Sequence, residues 1–221
     1  MKDYNTIKST NNAIKDRPKF EKWPSVHQKL MRSAEAFETW KRSSFEQRAA
    51  LLENAAAILD ENAPKFARMI TDEMSKPLQQ SIAEVKKCAL VCRYYAQNSA
   101  SFLEDTAIKT NFKKSYISYQ PLGCIVQIMP FNFPFWQVFR FAAPALMAGN
   151  VSLLKHAPSV PGCVELIQSV FDEAGFSPGI FQHVHVELEQ IEKIVAHSAV
   201  QGVALTGSTA AGMAVGAISG K

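Results

Sequence analysis

Residues 120–162 read QPLGCIVQIMPFNFPFWQVFRFAAPALMAGNVSLLKHAPSVPG, and the order of patterns in this stretch sets the fold class. GCIVQIM, residues 123–129, is a short apolar run, the composition of a strand buried on both faces. Residues 135–148 space their apolar side chains as a helix does, and VSLLK, residues 151–155, is a second buried run. The alternation continues downstream. A helix over 161–174 has Gly175 as its stop signal, GIFQHVHV is a third strand, 188–197 a helix, GVALT a fourth strand and 208–219 a helix. Strands alternating with helices require right-handed crossovers and a parallel sheet. The expected class is therefore α/β, with a partial Rossmann-like layer over residues 121–221. Ligands of such sheets sit at the carboxyl ends of the strands.

Upstream the grammar is helical. Leu30, Ala34, Phe37 and Trp40 recur at three- and four-residue steps. Ser44 with Gln47 is a capping-box pattern opening a helix over 48–60, and Pro64 suits a first helical turn. A long helix over 78–103 has Ile82, Val85, Ala89, Cys92, Ala96, Ser99 and Phe102 on one side. KKSYISYQ, residues 113–120, reads as a strand with no hairpin partner nearby, so it should pair outside this stretch. The organisation expected is an arm over 1–24, a helical segment over 25–112 packed on the sheet, a lone strand over 113–120 and the sheet itself over 121–221.

Composition narrows the function. The chain has 221 residues, 47% of them hydrophobic, and a net charge of +4, which is globular and carries no basic run of the kind nucleic acid requires. The first 120 residues hold 34 of the 44 charged side chains, and all ten glycines lie at or after Gly123. The charge-poor second part must be covered, either by the first part or by something else. Its charge-free stretch over 199–220 is broken by glycines and hydroxyl side chains and does not read as a membrane span. The polar N-terminus has no secretory core. Four cysteines, Cys88, Cys92, Cys124 and Cys163, have no metal-ligand spacing with the histidines. They read as reduced, buried thiols of a cytoplasmic chain, with no metal site expected.

Three strand ends are unusual. Asn132 stands between Pro130 and Pro134, where a rigidly held carboxamide either donates to a developing oxyanion or hydrogen-bonds its own turn. Lys155 ends the second strand, placed either to reach a ribose or phosphate or to sit in solvent. GSTAAG, residues 207–212, opens a helix after the fourth strand and fits a pyrophosphate site, although Gly212, Gly216 and Gly220 also suit close helix–sheet packing.

With these sites in view, the chain resembles the aldehyde dehydrogenase superfamily from about Ala34 onward. The carriers are the P-x-N-F-P, P-A-L-x-A-G-N and L-K segments of residues 120–162, TDEMSKPL with EVKKCA, and VALTGSTAAG. The resemblance implies NAD- or NADP-dependent oxidation of an aldehyde to an acid. A Cys thiolate attacks the carbonyl, hydride passes to nicotinamide, and a Glu activates water against the thioester. Carried over by position, Asn132 is the oxyanion donor and Lys155 the adenine-ribose ligand. Gly207 and Ser208 belong to the phosphate loop, and Met129 and Pro130 line the nicotinamide side. Arg140, eight residues after Asn132, matches the Arg with which succinate-semialdehyde dehydrogenases hold the distal carboxylate, a role suited to a bidentate guanidinium. The alternative is a salt bridge to another domain. LLKHAPSVPGC resembles a bacterial branch of those enzymes.

Departures follow. Pro158 stands where the family has its ribose-binding Glu, leaving NAD and NADP both possible. HVHVELEQ replaces the usual glycine-containing loop, and Ser75 replaces a Gly with no consequence legible in the sequence. Family members are about twice as long, and no residue here matches the nucleophilic Cys or the E-L-G-G Glu. The expectation is the N-terminal part of a succinate-semialdehyde dehydrogenase, inactive alone. It would act on a small aldehyde with no nucleic acid or membrane partner. It would form dimers or tetramers, or associate with a missing C-terminal half. The alternatives are a non-catalytic nucleotide-binding fragment or an enzyme for a different aldehyde.

Overall fold

The structure, a computed structural model, describes residues 19–220. Four helices come first: α1 (Trp23–Trp40), α2 (Phe45–Glu61), α3 (Ala63–Met74) and α4 (Leu78–Phe102). Two short strands, β1 (Thr106–Ala107) and β2 (Tyr116–Ile117), lead to the alternating part. This runs β3 (Cys124–Met129), α5 (Pro134–Met147), β4 (Val151–His156), α6 (Pro161–Glu173), β5 (Phe181–Val184), α7 (Glu189–Val195), β6 (Val200–Leu205) and α8 (Thr209–Ser219). Strands β3 to β6 form one parallel sheet in the order β5-β4-β3-β6, so the α/β class read from the sequence holds.

Helix α2 starts where its local code says. The Ser44 hydroxyl accepts from the Gln47 amide, and the Gln47 side chain accepts from the Ser44 amide. The sheet is covered on both faces. Gln182 of β5 donates to Ser33 Oγ and Lys29 O of α1. His156 of β4 and His183 of β5 turn the other way, to Pro134 O at the start of α5 and to Gln168 of α6. Helices α2 to α4 pack behind α5 and α6. A file of phenylalanines, Phe66, Phe135, Phe139, Phe171 and Phe181, joins α3 to β5 with successive ring centroids 5.6, 6.2, 5.2 and 4.0 Å apart. Such contacts add to area burial and make one core of the helical segment and the sheet.

The A-G-N segment after α5 has a mechanical reason. Gly149 has φ +88°, which side chains rarely adopt, and a Cβ there would stand 3.0–3.1 Å from the Arg48 guanidinium. Arg48 is buried and donates to Met147 O, Ser43 O and Lys41 O, tying α2 to the end of α5. Asn150 Oδ1 accepts from the Leu122 and Gly123 amides, which starts β3 beside β4.

Four expectations change. The strand in 113–120 is not partnerless: Tyr116 and Ile117 pair antiparallel with Ala107 and Thr106. A two-residue strand is too short to show a period of two in sequence. Phe102 leaves the buried stripe of α4 and is 52% exposed, because the helix end runs past the core. Gly212 and Gly216 mark no close helix–sheet packing, since a Cβ at either would meet nothing within 4 Å. Ser75 is not without consequence: its φ of +53° makes it the left-handed cap of α3 and the one non-glycine residue with positive φ among the described residues. The expected arm lies outside the described residues as far as residue 18. From residue 19 the chain is pinned, Glu21 N donating to His185 O and Glu21 Oε1 accepting from His185 N.

The charge-poor half divides in two. Strands β3 to β5 are buried under helices, whereas β6 is half-exposed with one edge unpaired and α8 has no buried residue among the described residues. Among the described residues no helix is long and apolar enough to cross a membrane.

Candidate functional site

The sheet register gathers the sequence-predicted residues at one edge. Met129 and Pro130 end β3, Lys155 lies near the end of its neighbour β4, and Gly207 and Ser208 follow β6 on the other side of β3. Arg140 comes from α5 and joins the group through its own side chain. Its Nη2 donates to Thr206 Oγ1 at 2.7 Å and its Nε to Gln137 Oε1 at 2.8 Å. Both acceptors are neutral, and Arg140 has no ion pair among the described residues. An exposed guanidinium held only by neutral oxygens keeps its full charge available to an anion.

Asn132 is exposed, and its carboxamide makes no hydrogen bond among the described residues, so it does not close its own turn. It opens on a cleft of about 440 Å³ shared with Lys76, Gln80, Glu84, Lys87 and Trp136. The loop that carries it is held from outside. Glu84, 1% exposed in its side chain, accepts from the Phe135 and Trp136 amides at 3.0 and 3.1 Å and pairs with Lys76 at 2.5 Å. The Lys76 ammonium lies 3.8 Å from the Phe133 ring centre. His156 completes the hold. Its Nδ1 must accept from the Ala157 amide, so Nε2 carries the proton and donates to Pro134 O at 3.0 Å. Burial pushes the His156 imidazole down to about 4, keeping it neutral.

Lys155 is not a solvated terminus. It is 7% exposed, and its ammonium has no hydrogen-bond or ion-pair partner among the described residues. Burial alone depresses its basicity, and no carboxylate is close enough to offset it. The loop after it holds one unsatisfied buried atom, Ser159 Oγ. A partnerless ammonium beside an unsatisfied hydroxyl at a strand's carboxyl end suits a polar ligand.

The helix N-termini differ. Glu84 fills that of α5 and Glu73 that of α6, accepting from the Gly162 and Cys163 amides at 2.7 and 2.9 Å. Helix α8 has only its own Ser208 hydroxyl, which accepts from the Ala211 amide. Gly207 and Ser208 are both exposed, and a Cβ at Gly207 would make ordinary contacts only. A helix N-terminus without an internal carboxylate favours an external anion.

Two groups drop out of the chemistry. All four cysteines are buried with thiols pushed up by burial, Cys124 to about 12, so none offers a thiolate. HVHVELEQ is engaged internally: His183 meets Glu165 at 3.3 Å and His185 stacks on Phe20 at 4.6 Å. Sequence reading missed Glu84, Glu73, His156 and Thr206, whose partners lie 22 to 90 residues away. The segments TDEMSKPL, EVKKCA, LLKHAPSVPGC and VALTGSTAAG contain all four residues but carry no sign of these contacts.

The sequence matches the model described as the aldehyde dehydrogenase family over residues 6–221. A probable NADP(+) succinate-semialdehyde dehydrogenase of Synechocystis is 48% identical over 187 residues, covering 85% of this chain and 41% of its own. The NAD(P)+ succinate semialdehyde dehydrogenase Sad of Escherichia coli K12 is 38% identical over 195 residues, covering 88% and 42%. Among solved structures, succinic semialdehyde dehydrogenase from Streptococcus pyogenes in complex with NADP+ superposes with a TM-score of 0.90 at 29% identity, covering 93% of this chain and 45% of that one. The chain thus spans about two fifths of the length of the curated relatives it matches, at their N-terminal side.

Proposed function

The chain belongs to the aldehyde dehydrogenase family, and from that premise we propose that it forms the N-terminal, cofactor-holding part of an NADP-using enzyme that oxidises succinate semialdehyde to succinate. The observation that carries the substrate is the Arg140 guanidinium, exposed beside the ends of β3 and β6 and held only by the neutral oxygens of Gln137 and Thr206. An aldehyde bearing a carboxylate at its far end fits such a group, and an uncharged aldehyde gains nothing from it.

Each residue then has a task. Arg140 binds the distal carboxylate and orients the aldehyde. Asn132 donates an amide N–H to the carbonyl oxygen as negative charge develops on it. Lys155 and Ser159 take the ribose-phosphate end of the dinucleotide, where Pro158 leaves no carboxylate to repel a 2′-phosphate. The α8 N-terminus at Gly207 and Ser208 takes the bridging phosphates, and Met129 and Pro130 form the floor under the reacting ring. The dinucleotide, when bound, supplies the hydride acceptor. None of the four buried cysteines supplies the nucleophile of the family reaction.

The deciding experiment compares native and Arg140→Leu forms of the enzyme of which this chain is the N-terminal part. KM for succinate semialdehyde should rise about 30- to 150-fold, the loss of a charged bidentate contact worth about 2–3 kcal/mol. KM for an uncharged aldehyde of similar length should change less than about threefold. Equal increases would remove Arg140 from substrate selection.

A second reading, a chain that binds dinucleotide without turnover by itself, is favoured by the exposure of Asn132. An oxyanion donor needs a site that excludes water. Aldehyde-dependent NADPH formation by the purified chain would contradict this reading.

A further inference from the structure

A carboxamide that stabilises an oxyanion must be fixed, because misplacement by about 1 Å costs on the order of a hundredfold in rate. Two prolines set φ at positions 130 and 134 but leave the rest of the Asn132 loop to be held by its surroundings. We propose that Glu84 and His156 are positioning residues for Asn132, clamping residues 134–136 from α4 and from β4. The proposal rests on the reading of Asn132 as the oxyanion donor.

The clamp is contiguous. Lys76 lies over the ring of Phe133, His156 Nε2 donates to Pro134 O, and Glu84 Oε1 accepts from both the Phe135 and Trp136 amides. Lys87 lies 3.9 Å from the Trp136 ring centre. Every residue from 133 to 136 is therefore gripped by a side chain from another element. Glu84 also has its second oxygen fixed by Lys76, so it cannot swing off the two amides. Glu73 repeats the carboxylate cap on α6 at Gly162 and Cys163, where no candidate reacting group precedes the helix. That second cap reports whether an effect at the first is local.

The test uses the chain itself, by NMR. In Glu84→Leu, amide hydrogen exchange at Phe135 and Trp136 should accelerate at least tenfold, and the Asn132 side-chain NH₂ resonances should move or broaden. Gly162 and Cys163 should exchange within twofold of their original rates. Glu84→Gln keeps an acceptor oxygen and should restore exchange to within about threefold and the Asn132 resonances to near their original positions. If Glu84→Leu does not fold, Lys76→Met serves instead: it leaves the carboxylate on the amides but unpins it, and should accelerate Phe135 and Trp136 about threefold with Gly162 and Cys163 unmoved. Unchanged Asn132 resonances, or equal acceleration at Gly162 and Cys163, would overturn the clamp. None of these readouts depends on turnover. If the clamp holds while Asn132→Ala leaves kcat of the enzyme intact, it is the oxyanion reading that fails.

Discussion

Helices α5 and α8 begin the same way, each just past the carboxyl end of a parallel strand, yet one N-terminus is filled and the other open. At α5 a buried carboxylate from α4 takes two amides. At α8 one exposed serine of the helix's own cap takes a single amide. The orphan amides and the dipole at a helix start attract an anion in either case. The difference is whether the fold supplies the anion or leaves the place for a ligand. A filled N-terminus is structural, so α5 and α6 begin on internal carboxylates while the start of α8 is left open. Burial agrees, since α5 is packed into the core and α8 has no buried residue.

The largest break of this contrast is Glu84→Leu. It leaves two amides and the Lys76 ammonium without their partner, and loss of one member of a buried pair costs about 3–5 kcal/mol. Ser208→Ala, at the open end, should cost only about 1 kcal/mol. Denaturant unfolding of both variants measures the difference, and equal losses would mean that the two ends are built alike.

Acid should attack the filled end next. His156 has an ordinary value of 6.5 and a folded value of about 4, because burial disfavours its charged form. The unfolded chain therefore binds the proton first. The stability His156 contributes is fully present above pH 6.5 and is lost as pH falls through the window from 6.5 to about 4, up to about 3 kcal/mol in all. Midpoints of unfolding measured from pH 7.5 to 4.5 should show this slope, and His156→Gln should flatten it. A slope surviving that change would belong to another group.

The smallest effect concerns the turn that delivers the caps. Ser75 lies between Glu73 and Lys76 with φ +53°. Ser75→Gly relieves the left-handed strain and should stabilise the chain by about 0.5–1 kcal/mol. A loss of stability would mean that the serine hydroxyl makes up for its backbone.

These contrasts also explain what could be read in advance. The parallel sheet was legible because short, mainly apolar runs alternate with helical patterns from residue 123 onward. The α2 start was legible because Ser44 and Gln47 carry its whole code within four residues. Asn132 and Lys155 stood out because a polar residue interrupts an apolar pattern at a strand end, and Arg140 because of the family resemblance, eight residues after Asn132. Glu84 and Glu73 were not legible as caps. Each is one charge among many in a helical segment, and its partners are 51 and 89 residues away. The β1–β2 pair escaped because two residues carry no periodicity. The open start of α8 was legible in GSTAAG as an anion site, whereas its glycines suggested a helix–sheet packing that the helix does not make.

On the proposed function, the partnerless Lys155 ammonium and the open start of α8 are kept for a dinucleotide phosphate. Thermal unfolding of the native and Lys155→Met chains, each with and without saturating NADP, decides whether they are. In the native chain NADP at about 100 times its dissociation constant should add about 2.7 kcal/mol and raise the midpoint. Lys155→Met should raise the midpoint without ligand, because it removes a buried charge that has no partner, and should lose most of the rise with NADP. A native chain whose midpoint NADP does not move, or a variant that keeps the full rise, would contradict the account.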